Sequence, residues 1–232
     1  PPPAAVPAFT LLHPRAKPAI VWRDTPLSYS DLLTHAAALA ALYPSAPGDR
    51  VVIFSENRPE WIAALYAIWR NRGVVVPVDA FSPAGEVAYI LEQTGPVAAF
   101  CSSKTLPVLK DALRGLPELA PQILCFDVEE FPPVPFGAGL AEPLASGAAD
   151  ELAAILYTSG TTGAPKGVML TFGNILTNLE SVCDRVPIFR PESRIFALLP
   201  LHHILPLMGC ILAPLYSGGT IVLAHSLDPA EM

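Results

Sequence analysis

Tyr157-Thr158-Ser159-Gly160-Thr161-Thr162-Gly163-Ala164-Pro165-Lys166-Gly167 is the stretch on which the reading of this chain turns. Its eleven residues hold four Ser/Thr hydroxyls, three glycines and one lysine. Glycines let backbone N–H groups approach an anion closely. Hydroxyls donate to phosphate oxygens, and a lysine adds a point charge. The composition suits a loop that wraps a polyphosphate. It is not a Walker loop, because Lys166 is followed by glycine and only two residues separate it from Gly163. Pro165 stiffens the turn just before the lysine.

The flanks sharpen this reading. Residues 152–157 predict a strand and 167–170 a short returning strand. Thr171 is placed to cap a helix over 172–183. The unit is therefore strand–loop–strand–helix, whereas a Walker loop enters its helix directly.

The ordered string resembles the signature loop of the adenylate-forming superfamily: acyl-CoA synthetases, peptide-synthetase adenylation domains and luciferases. That pattern is an aromatic residue, Thr or Ser, Ser-Gly-Thr-Thr-Gly, any residue, then Pro-Lys-Gly, and every position is matched. The resemblance implies an enzyme that joins a carboxylate to the α-phosphate of ATP and then passes the acyl group to a thiol. It implies that Thr158, Ser159, Gly160, Thr161, Thr162, Gly163 and Lys166 grip the β- and γ-phosphates. Lys166 and Thr161 take the catalytic roles, with Thr161 also beside Mg²⁺. ATP, Mg²⁺ and coenzyme A are the implied cofactors and co-substrates.

A second segment, Leu199-Pro200-Leu201-His202-His203, is similar to the family's Pro-Leu-Phe-His segment. The resemblance places His203 beside the acid's carboxylate, with His202 standing where an aromatic residue is usual. Pro206 occupies the place where a glycine is often found, a departure similar to variants among medium- and long-chain acyl-CoA synthetases. Adjacent histidines on a strand point to opposite faces, which argues against a metal site.

Elsewhere, apolar periodicity predicts an α/β fold with mostly parallel sheets flanked by helices. Expected strands cover 50–55, 74–78, 97–101, 122–126, 195–199 and 220–224. Expected helices cover 59–72, 83–93, 103–114 and 204–215, the last broken or begun near Pro206. Ser30 is the expected cap of a first helix running to Tyr43, and residues 1–18 read as an irregular arm. Trp61 and Trp69 read as core. Asp79, Glu56 and Arg58 have the composition of a polar site and read as solvated loop residues. Residues 1–150 form the expected first α/β subdomain, with a Pro/Gly-rich surface connection over 127–149. Residues 151–232 hold the signature loop and the start of a second subdomain. The family's Tyr-Gly-x-Thr-Glu motif, ribose-binding aspartate and small C-terminal domain are not matched. The chain is thus expected to be an N-terminal portion, with little turnover alone.

Composition bounds the rest. The 232 residues are 52% hydrophobic, enough for a sizeable core, and 15% charged. A formal net charge of −7 argues against nonspecific nucleic-acid binding. None of the four cysteines has Cys-x-x-Cys spacing, so a reducing, cytoplasmic setting fits. Residues 195–227 lack Asp, Glu, Lys and Arg, but proline, histidine and Gly-Gly breaks argue against a spanning helix of about 20 residues. Peripheral contact with a membrane surface stays open. Three readings follow: a fatty or other acyl-CoA synthetase, an adenylation domain or acyl-AMP ligase loading a carrier protein, and a non-catalytic fragment keeping only fold or interactions.

Overall fold

The computed structural model describes residues 9–127, 142–158 and 165–224. The N-terminal arm is not irregular throughout. Within it lies β1 (Thr10–Leu12); β2 (Pro18–Trp22) starts at its end, and a tight turn leads to β3 (Thr25–Ser28). Arg23 and Asp24 take positive φ in that turn, the conformation a two-residue hairpin requires. No glycine marks it, so nothing local signals a hairpin.

Ser28, not Ser30, caps α1 (Tyr29–Ala40). Its hydroxyl accepts from the Asp31 N–H, and the Asp31 carboxylate accepts from the Ser28 N–H. Ser30 has Leu33 three residues on and cannot form this reciprocal pair. After β4 (Arg50–Phe54), Pro59 opens α2 (Pro59–Arg70) at a position where a missing N–H costs nothing. There follow β5 (Val74–Val78), α3 (Ala84–Thr94), β6 (Ala98–Cys101), α4 (Leu106–Arg114) and β7 (Gln122–Cys125). β8 (Leu144–Ala145) falls within the expected surface connection and pairs antiparallel with β1.

The second part holds β9 (Leu152–Thr158), β10 (Lys166–Thr171) and α5 (Phe172–Arg185). Thr171 caps α5 as expected, with Asn174 as the reciprocal partner. β11 (Arg194–Ala197) ends earlier than expected. The expected helix over 204–215 is composite: α6 (Ile204–Pro206), a π-helical turn (Leu207–Leu212) and α7 (Ala213–Ser217). Pro214 has no N–H to return to Cys210, and the ladder ahead of it runs in the wider register. β12 (Thr220–Leu223) closes the described chain.

Two larger sheets result. Six strands run in the order β10-β9-β5-β4-β6-β7, all neighbours parallel except the β9–β10 hairpin. Four run in the order β11-β12-β2-β3, parallel except for β2–β3. Both sheets therefore combine strands from either side of position 150. Alternation along β4 sends Val51 and Ile53 to one face and Val52 and Phe54 to the other. The first face meets α1 and α2, and the second meets α3 and α4. α2 packs on β4 and β5, while α1 packs on α2, β2 and β3, so this helical layer lies between the two sheets. α2 is buried from Trp61 through Trp69, not only along one stripe. Its nearly continuous apolar sequence is what such a position requires. Trp69 donates its indole N–H to the Ala153 carbonyl at 2.9 Å, tying α2 to β9.

Candidate active site

The two ends of the signature string pair antiparallel, Thr158 with Lys166 and Tyr157 with Gly167. Because β9 runs parallel to β5, the loop that follows β9 leaves at the carboxyl ends of β4, β5 and β6. Ligands in open α/β sheets collect at that edge. Thr158 is exposed at the base of the loop, and so is Lys166. The Thr158 hydroxyl reaches the Lys166 carbonyl at 3.5 Å. Ser159, Gly160, Thr161, Thr162 and Gly163 lie outside the described residues. Gly167 has a steric reason. A Cβ there would sit 2.9 Å from Ile155 Cγ2 and 3.3 Å from the Tyr157 ring.

The His202–His203 segment follows the carboxyl end of β11. It is a turn rather than a strand, since Pro200 offers no N–H and the His203 N–H returns to the Pro200 carbonyl at 3.4 Å. Strand geometry would have sent the two rings to opposite faces. Instead their centroids lie 3.9 Å apart, tilted by 49°. Asn57, just after β4, holds the segment from the other sheet. Its amide nitrogen donates to the Leu199 carbonyl at 2.9 Å, and its amide oxygen accepts from the Leu201 N–H at 3.0 Å.

Two clefts flank the histidines. One, of about 260 Å³, is lined by Ser55, Glu56, Asp79, Phe81, Lys104 and His202. Phe81 is 82% exposed at this cleft. Asp79 and Glu56 are therefore not merely solvated loop residues. Asp79 Oδ2 lies 3.9 Å from His202 Nε2. Glu56 accepts from the Ser102 hydroxyl at 2.6 Å and faces Lys104 at 3.8 Å. Arg58 does not line this cleft; it is partly buried, paired with Glu60 at 2.9 Å and Asp127 at 2.8 Å. Burial holds His202 below the usual histidine range; Asp79 pulls the other way and His203 adds to the lowering.

The other cleft, of about 340 Å³, is mostly apolar. Leu170 of β10, Ile175 and Asn178 of α5, and Ile204, Leu205 and Met208 after His203 line it. It joins the elements that follow the signature string to the turn that follows the histidines. Asn57 and Asp79 were the residues least legible from sequence. The available signal was their place, since each follows a buried parallel strand at its carboxyl end. Among the described residues, no group of three or more His, Cys, Asp or Glu side chains is set to hold a metal ion. No described helix is long and apolar enough to cross a membrane.

Strands β9 and β10, which flank the Gly-, Ser- and Thr-rich string at the carboxyl edge of a mostly parallel sheet, define the class as an α/β protein. The chain belongs to the AMP-binding enzyme family, whose model matches residues 11–232. It is 30% identical over 220 residues to a sulfoacetate–CoA ligase of Cupriavidus necator, covering 88% of this chain and 43% of that protein. It is 32% identical over 198 residues to the long-chain-fatty-acid–CoA ligase FadD15 of Mycobacterium bovis, covering 80% of this chain and 33% of that one. In fold it resembles apo MatB of Rhodopseudomonas palustris, with a TM-score of 0.79 at 25% identity over 92% of this chain and 43% of that one. The chain thus spans less than half the length of these relatives. The N-terminal domain of FACL13 from Mycobacterium tuberculosis shows the same fold, at a TM-score of 0.78 and 27% identity over 92% of this chain and 55% of that one.

Proposed function

We propose that this chain forms the N-terminal part of an AMP-forming acid–thiol ligase acting on a carboxylic acid with an apolar, fatty body. The observation that carries this is the apolar cleft shared by β10, α5 and the turn after His203. Room for an uncharged chain beside β10 and the turn after His203 supports an acid with an apolar body. In the first step a carboxylate oxygen attacks the α-phosphorus of ATP, and the bond to pyrophosphate breaks. In the second the sulfur of coenzyme A attacks the acyl carbon, and AMP leaves. Charge grows on the departing pyrophosphate, so the chain's task is to meet it with preorganised donors. Thr158, the loop hydroxyls and N–H groups, and Lys166 supply those donors. Thr161 would offer a magnesium ion one hydroxyl ligand, and an ion held there would offset phosphate charge. His203, exposed one residue before Ile204 of the cleft lining, orients the carboxylate.

Carboxylate-dependent exchange of pyrophosphate into ATP tests this reading in the complete enzyme, across acids of increasing chain length. Lys166→Ala is expected to lower the exchange rate by roughly 100-fold, the scale seen when one transition-state donor is removed. Unchanged exchange in that variant, or none with any acid in the wild type, overturns the reading. Transfer to a carrier-protein thiol but not to coenzyme A would assign the other acceptor.

A further inference from the structure

The His202 ring sits between two groups that differ in exposure and in origin. On one side it contacts the ring of His203 at 3.9 Å. On the other its Nε2 faces Asp79 Oδ2 at 3.9 Å. Asp79 stands at the end of β5 in the six-stranded sheet, whereas both histidines follow β11 in the four-stranded sheet. The His202 side chain is 11% exposed and that of Asp79 is 41% exposed. The Asp79 carboxylate is itself fixed, since Oδ1 accepts the Phe81 N–H at 3.0 Å, leaving Oδ2 for His202. The backbone below the histidines is fixed separately by Asn57.

We infer that Asp79 and His202 act as a positioning pair: Asp79 fixes the tautomer and tilt of the His202 ring, and that ring sets the face His203 presents to the acid. The inference rests on the acid-activating reading for its consequence, though the pair itself is defined by geometry alone. A carboxylate facing one ring nitrogen favours the tautomer with the proton on that nitrogen. At 3.9 Å the link is electrostatic rather than a direct hydrogen bond, and a bridging water would complete it. The other charged groups on this cleft are Glu56 after β4 and Lys104 before α4, which face each other at 3.8 Å. Burial keeps His202 neutral in the neutral range. A neutral His202 puts no positive charge at ring contact with His203. A phenylalanine at position 202 would supply the ring but no tautomer to fix.

Three variants of the complete enzyme test this: Asp79→Asn, His202→Phe and the double variant. The Asp79→Asn change keeps an oxygen for the Phe81 N–H and replaces the charged acceptor facing His202 with a neutral amide donor. Each single change is expected to raise KM for the acid by roughly 5- to 10-fold, with KM for ATP unchanged. The double variant is expected to be no worse than the poorer single one, because groups that act as a unit are not additive. Full activity in His202→Phe would reduce His202 to a packing ring and overturn the inference; so would additive losses. A second readout does not depend on turnover. The His202 imidazole, followed by NMR with histidine labelling, should titrate at lower pH in Asp79→Asn, since Asp79 is the group that raises it. An unmoved titration removes the pair. A lower titration without any acid-dependent exchange in the wild type would uphold the pair and sink the catalytic reading instead.

Discussion

At Gly167 the returning strand passes so close to β9 that a single methyl group has no room. The nearest atoms belong to Ile155 and to the Tyr157 ring, at the point where the signature string begins. Gly167→Ala is expected to lower stability by about 1–2 kcal/mol, an overpacking cost, and to weaken ATP binding by shifting Tyr157. Urea denaturation and ATP calorimetry on the complete enzyme check the two effects separately. Stability and affinity both equal to wild type would contradict the steric account. This residue was legible as part of a motif, but its reason was not: the sequence shows a glycine after a lysine, and only the register opposite Tyr157 explains it. The histidines are the reverse case. Their expected role toward the acid came from resemblance, while their mutual contact depended on a turn that strand periodicity does not foresee.

Among elements, helix starts separate what sequence encodes from what was read in it. Ser28 and Ser30 precede the same apolar run, yet only Ser28 has an acidic residue three places on. The discriminating signal was present and local. Ser28→Ala is expected to cost about 1 kcal/mol, while Ser30→Ala should cost less. Comparing the two by chemical denaturation tests the assignment, and a larger loss at Ser30 would reverse it. Ser30 is not idle, since its hydroxyl contacts the Arg15 carbonyl at 3.3 Å, a weak bond of the arm. The strongly apolar strands β4 and β5 and the helix between them were legible because burial on all sides leaves an unmistakable composition. β1, β2 and β8 were not. Strands of two to five residues carry too few alternations to show a period, and their pairing partners are distant in sequence.

Across the whole molecule, ion pairs brace the edge where the clefts open. Asp127, after β7, accepts the Ser103 N–H at 2.7 Å and pairs with Arg58, which precedes α2. Burial alone would raise its pKa, but the Ser103 N–H and the Arg58 guanidinium outweigh burial and hold it below the usual aspartate range. A carboxylate depressed in the folded state contributes stability that is fully present above its unfolded value. That contribution is lost as pH falls through the lower, folded value. Asp127→Asn should therefore be less stable than wild type at neutral pH and converge with it in acid. Denaturation midpoints across that range decide it, and a constant gap at every pH would show that charge is not the cause.

The helical layer between the sheets has one more consequence. α2 is covered by β4 and β5 on one side and, through α1, by the smaller sheet on the other. Peeling away either sheet still leaves this helix roofed by its neighbours. Solvent reaches its amides only when the protein opens as a whole, so α2 should be the slowest-exchanging segment and the last to give way.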